Sequence, residues 1–242
     1  MRRMKMGLTI GTAAAALCLT VACGGGGGSE PAAGTSAGAP GSGKTTDPAF
    51  LAMAKAYIAE VTAPGTPWSG PTTGPAAAPR KLVVYVSSDQ RNAGPQGAGD
   101  GAKEAAGVIG WDLRILDGQG SVQGRTTALN QAIALKPDAI ILGNVDTQEQ
   151  APVIRRAAEL GIKIVGWHVS PVPGPMADPP IYTNVTTDPK EVAKAAAMYA
   201  VVDSNGTAGV ILFKDSITTI STAKTDASAE IITSCGGCTV LE

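Results

Sequence analysis

From Lys81 onward, short apolar runs alternate with helical patterns, and this alternation constrains the fold more than anything else in the chain. LVVYV (82–86), DLRIL (112–116), AIIL (139–142) and IKIV (162–165) have strand length. The first and third are continuously apolar, as strands buried on both faces are. Between them lie helical patterns at 100–109, at 122–136, stopped by Pro137, and at 148–160, ended by Gly161 at the C′ position. Strands alternating with helices of this length predict βαβ units with right-handed crossovers on a parallel sheet. The expected fold class is therefore α/β, beginning with a doubly wound lobe over 81–184.

A Pro-rich loop (170–180) and a short strand at 181–182 lead into a second series. Asp188 with Glu191 three residues on reads as a capping box opening a helix that closes near Gly206. GVILF (209–213) predicts a buried strand, a helix-like stretch follows to Thr233, and TVL (239–241) begins one more strand. This second lobe, 185–242, is expected to be incomplete, since it is little more than half as long as the first.

Ahead of both lobes, MRRMKMG and the uncharged apolar stretch 8–22 read as the n- and h-regions of an export signal, too short for a confident membrane span. Thr20-Val21-Ala22-Cys23 resembles the lipobox of bacterial lipoproteins, with Thr20 where Leu is usual. Lipidation would then fall on Cys23; plain secretion after Ala22 is the competing reading. The Gly/Ser/Pro-rich segment 23–46 is expected to be a flexible tether, with a root-mean-square reach of roughly 27 Å. Segment 47–80 divides into a short docking helix and a Pro/Gly-rich linker. In the helix, Asp47 caps, Pro48 sits in the first turn, and Phe50, Leu51, Ala54, Tyr57, Ile58 and Val61 share a face.

Composition narrows the chemistry. A formal charge of -1 and a pI near 5.9 leave no basic footprint for nucleic acid. With Arg2, Arg3 and Lys5 removed, 19 basic residues become 16 against 20 acidic ones, so the exported chain is mildly acidic. The single histidine, His168, excludes sites needing two, among them the His-pair zinc motifs. Gly97-Ala98-Gly99-Asp100-Gly101-Ala102 with Asp117 superficially fits a dinucleotide fingerprint. Those glycines, however, do not follow the first strand directly as pyrophosphate binding needs. They are better explained by a flexible loop and a close helix–sheet approach. Cys235 and Cys238 could form a redox pair, a metal half-site or a local disulfide, and the disulfide is the default in an exported chain. No cofactor and no metal are expected.

Ligands of open α/β sheets bind beyond the carboxyl ends of the strands. Ser87, Ser88, Asp89 and Gln90 follow the first strand, Asn144 and Asp146 the third, His168 the fourth, and Asp215 and Ser216 the strand of the second lobe. Convergent neutral and acidic groups suit a polyol better than an anion. Ser88, Asp89, Gln90, Asp146, His168 and Asp215 are the candidate ligand-binding residues read from position.

The segments KLVVYVSSDQ, GAKEAAGVIGWDLRILDGQG, ALNQAIALKPDAIILGNVD, APVIRRAAELGIKIVGWH and TNVTTDPKEVAKAA, in this order and spacing, resemble the type I periplasmic substrate-binding proteins of bacterial ABC transporters, in the ribose and galactose group. The resemblance covers about 81–242. It implies two doubly wound lobes joined by a hinge, closing on a solute in the cleft and docking on a membrane permease. The family's contacts after the first strand fall on Ser87 to Arg91, the Asp ending its fourth strand on His168, and its second-lobe cation on Lys224. The loop 87–99 lacks an aromatic for stacking on a sugar, and His168 replaces an acceptor-only carboxylate. The segment that returns from the second lobe to complete the first in this group has no counterpart before Glu242, so the chain is expected to be truncated at its C-terminus.

The function expected on these grounds is that of an extracytoplasmic, lipid-anchored solute-binding protein. It would be monomeric and non-enzymatic, delivering a carbohydrate or similar small polar solute to an ABC importer. An extracytoplasmic sensor feeding a membrane receptor is the alternative, and an exported enzyme using His168 or a redox protein using Cys235 and Cys238 is a third reading.

Overall fold

The computed structural model describes residues 45–65 and 67–241. The expected signal, Cys23 and all but the last two residues of the tether lie outside them. The described residues fall within one compact unit.

Buried Val, Ile and Leu runs form the strands of a six-stranded sheet in the order β2-β1-β3-β4-β6-β5. These are β1 (Leu82–Ser87), β2 (Asp112–Asp117), β3 (Ala139–Gly143), β4 (Lys163–Trp167), β5 (Gly174–Met176) and β6 (Ile181–Val185). All pair in parallel except β5, which runs antiparallel to β6. Side chains alternate between faces. Val84, Val86, Ile140 and Leu142 pack against α3 (Val122–Ala134) and α4 (Ala151–Glu159), while Val83, Tyr85 and Leu113 meet α2 (Ala93–Val108).

The helix ends follow from local chemistry. Ser121 caps α3 through Gly124 N, and Asn92 caps α2 through Gly94 N. The reading that began the second helix at residue 100 is corrected: α2 starts at Ala93 and takes the glycines into its interior. Gly99 lies against Tyr85, whose ring atoms would stand 3.0 Å from an added Cβ. The close approach is present and the flexible loop is not. The Pro-rich loop also contains a strand, β5, that sequence pattern did not indicate.

The second lobe holds α5 (Pro189–Asp203), β7 (Gly209–Ile211), α6 (Thr219–Ser234) and β8 (Thr239–Leu241), with β7 and β8 paired in parallel. GVILF is not a buried strand as expected: β7 stops at Ile211, and Phe213 is 91% exposed. Asp188 caps α5 through Lys190 N, but Glu191 does not complete a capping box; it accepts a bond from Tyr57 Oη at 3.3 Å.

That bond belongs to α1 (Pro48–Val61), which docks on α5. Ala54 is fully buried there among Ala197, Met198 and Val201, with Phe50, Leu51, Tyr57 and Ile58 packed around it. Val61, expected on the same face, is exposed. Lys194 Nζ lies 4.3 Å from the centre of the Tyr57 ring. Thr46 pins the end of the tether, donating to Gly206 O and accepting from Gly237 N, beside the Cys235–Cys238 disulfide. No helix among the described residues is long and apolar enough to cross a membrane.

Candidate functional site

The parallel register sets Asp117, Ser87, Gly143, Trp167 and Val185 in one row at the carboxyl ends of β2, β1, β3, β4 and β6. The loops leaving this row meet the start of α6 and the loop before it. Between them lies a cavity of about 140 Å³. Its walls include Ser88, Asp89, Asn92, Asn144 and Asp146 from the first lobe and Asp215 and Thr218 from the second.

Each polar group is held by identifiable bonds. Ser88 N donates to Gly143 O at 2.8 Å, tying the β1 loop to β3. Asp89 accepts from Arg91 N, Nε and Nη2, each at 2.9 Å, and these bonds hold its carboxyl below the usual range. Asn144 takes a left-handed backbone conformation, φ 56°, and its N donates to Trp167 O at 2.8 Å. Asp215 accepts from Ile217 N at 2.9 Å. Lining the same cavity, Arg125 and Glu149 form a two-pronged ion pair with side chains only 8% and 14% exposed. Burial opposes ionisation of Glu149, but the bonds from Arg125 and Gln150 outweigh it and hold its carboxyl low. The Glu149 bond likewise raises Arg125.

His168 stands beside this cavity rather than in its wall. It has φ 53°, its Nδ1 lies 3.4 Å from Thr186 Oγ1, and its ring packs against Trp167 with centroids 4.5 Å apart. Burial first, and the charge of Lys224 on α6 second, push the imidazole below its ordinary value. Gln90 donates its N to Asp117 Oδ1, while its buried Nε2 and the buried Ser87 Oγ have no hydrogen-bond partner. Of the sequence-predicted residues, Ser88, Asp89, Asp146 and Asp215 thus share one cavity; His168, Lys224 and Gln90, the last in the β1 loop itself, are not among the residues lining it.

Asn92, Arg125, Glu149 and Thr218 were not singled out from the sequence. For Arg125 a signal existed: with Ala128, Leu129, Ala132 and Ile133 it occupies the buried stripe of α3 at helical spacing, and a charge on such a stripe needs a partner. Trp167 supplies an aromatic near the site that the β1 loop lacks; an added Cβ on Gly94, in the first turn of α2, would stand 3.5 Å from its ring. Among the described residues no group of three or more His, Cys, Asp or Glu is placed to hold a metal ion.

A larger groove, about 890 Å³, opens at the opposite end of the sheet, beside Val83, Trp111, Ile133 and Leu160. It lies at the amino ends of the strands, and its acid, Asp138, is already paired with Lys81 at 2.7 Å. The carboxyl-end cavity has both the position that open α/β sheets use for ligands and the convergent polar groups.

Two lobes facing a polar cavity at the strand ends define a binding-protein architecture, and comparison with known proteins agrees. Residues 83–242 match the family described as periplasmic binding protein domain, and the chain belongs to that family. Among solved structures it is similar to a solute-binding protein of an ABC transporter from Agrobacterium vitis bound with α-D-tagatopyranose. That match has 18% identity and a TM-score of 0.59, covering 67% of this chain and 57% of that one. It is also similar to a glucose-galactose binding protein from Geobacillus stearothermophilus (21%, 0.57, 68% and 57%). A third is an ABC sugar transporter subunit from Rhodobacter sphaeroides (17%, 0.57, 67% and 55%). The chain spans little more than half the length of these structures. No curated protein sequence matches it.

Proposed function

We propose that this protein is an extracytoplasmic solute-binding protein that takes a sugar or similar small polar solute and passes it to an ABC importer by closure of its two lobes. The observation that carries this reading is the convergence of hydrogen-bonding groups from both lobes, Ser88, Asp89, Asn92 and Asn144 facing Asp215 and Thr218, on one small cavity. The named ligands and assignments of its structural relatives support the same class of solute. Hydroxyl groups both donate and accept, so they match a wall of carboxylates, amides and hydroxyls without needing a net charge.

In this reading Ser88, Asp89, Asp146 and Asp215 form the polar wall, Gln90 reaches the solute from the β1 loop as the lobes close, and His168 and Lys224 close one side with Trp167 as an apolar surface. Cys23 carries a lipid that holds the protein at the outer face of the membrane, a permease is the partner, and the working form is a monomer without catalytic chemistry. A screen of monosaccharides and polyols by thermal unfolding of the full chain tests it. A true solute raises the transition temperature in proportion to RT ln(1 + [L]/Kd), about 2.7 kcal/mol at a hundredfold excess over Kd. No shift with any sugar or polyol, while a related sugar-binding protein responds in the same plates, would overturn the reading.

A further inference from the structure

We infer that Asp146 serves this cleft as a positioning residue: its carboxylate fastens the first turn of α6 in the second lobe onto the first lobe, instead of accepting hydrogen bonds from the solute. The inference rests on the solute-binding reading and assigns one of its residues a different task.

Asp146 lies three residues beyond β3 and is 5% exposed. Its Oδ1 accepts from Gln148 N at 2.9 Å and Glu149 N at 3.3 Å, bonds within its own loop that fix the carboxylate in one orientation. Its Oδ2 accepts from Thr219 N and Thr219 Oγ1, each at 2.7 Å, across 73 residues of sequence. An ionised carboxylate has about four acceptor positions, and here four donors occupy them. A solute hydroxyl would have to displace one.

The partner is suited to the contact. Thr219 is the first residue of α6, where backbone N–H groups lack intrahelical acceptors and the helix dipole favours negative charge. Thr218 caps the helix with its own side chain, through Ser221 N, leaving Thr219 N for Asp146. The first turn of α6 contains no acidic residue of its own, so the first lobe supplies the charge. The charges facing Asp146 are Arg125, which lines the same cavity and feels the charges of both Asp146 and Asp215, and Glu149, already paired with Arg125. Asp215 and Thr218 both lie within four residues of Thr219, so the docking also sets where the second-lobe wall stands over the cavity.

Hydrogen exchange on the full chain without added solute tests the docking directly. Asp146→Asn, which removes the charge and keeps the shape, is expected to speed exchange of the Thr219 amide at least several-fold, with the β3 amides unchanged. Thr219→Val removes only the hydroxyl donor and is expected to have a smaller effect. In urea unfolding the two substitutions should be coupled, the double variant losing less than the sum of the singles. Unchanged exchange at Thr219, or strictly additive losses, overturns the proposal. With a solute from the screen, Asp146→Asn should weaken binding by about 5- to 150-fold, the ordinary range for coupled sites. Asp146→Glu should restore part of the loss, because charge rather than a solute contact is what it keeps. If the unsubstituted protein binds no sugar, the solute reading fails while the exchange experiment still decides the docking.

Discussion

Arg125 and Glu149 show how one buried pair supports the site. Neither charge is tolerable alone at this depth, and the pair ties the first turn of α3 to the loop before α4, in the lining of the carboxyl-end cavity. Arg125→Met should leave the Glu149 carboxylate unpartnered and lower stability by about 3–5 kcal/mol. Arg125→Met with Glu149→Gln should recover most of that; urea unfolding of the three proteins measures both. His168 gives a pH test. Its folded value lies below the 6.5 of the free side chain, so between the two values the unfolded chain binds more protons and stability rises with pH. Acidification through 6.5 therefore removes stability, and above it the contribution vanishes. His168→Gln should flatten this slope. Since the chain has one histidine, its ring protons can be followed by NMR, and Lys224→Met should move the midpoint upward.

At the scale of elements, two glycines call for opposite outcomes. A Cβ on Gly143, at the end of β3, would lie 2.0 Å from Tyr85 Oη, and that tyrosine is buried, bonded to Pro95 O at 2.7 Å and pushed up to about 12 in pKa by desolvation. Gly143→Ala should cost about 1–3 kcal/mol through overpacking. Gly101, inside α2, has nothing within 4 Å of an added Cβ, so Gly101→Ala should gain roughly 0.5–1 kcal/mol. The same denaturation assay reads both signs. The contrast also shows what the sequence made legible. β1 to β4 were readable to within two residues at each end because hydrophobic runs of strand length have few other uses between helical patterns. α2 was not, because its glycines carry a turn signal that Asn92 capping and the close fit to Tyr85 override. β7 was over-read for the related reason that an apolar run does not say how much of it finds a neighbour; Leu212 and Phe213 lie outside the pairing with β8. The strand-end positions of Ser88, Asp89, Asp146 and Asp215 followed from topology alone, whereas Asn92 and Thr218 were hidden as ordinary helix caps.

Among the described residues, the hydrophobic clusters are separate: two sandwich the first-lobe sheet, and a third joins α1, α5 and α6. Ala54→Asp should therefore loosen the second lobe selectively. Trp111 and Trp167 lie in the first lobe, so their emission should report a transition little changed from the parent, while far-UV circular dichroism reveals an earlier loss of helix. Coincident transitions in the variant would show the lobes to be one cooperative unit.

The docking of α1 has a mechanical meaning. The chain enters through Thr46 and α1, both fastened to the second lobe, and only after the linker does it reach β1 of the first. For a protein held by its N-terminus, load passes into the second lobe and stops there. If the chain is held at Cys23 and the lobes close as proposed, that lobe is the stationary jaw, and the first lobe, which supplies Ser88, Asp89, Asn92 and Asn144 to the cavity, is the jaw that swings.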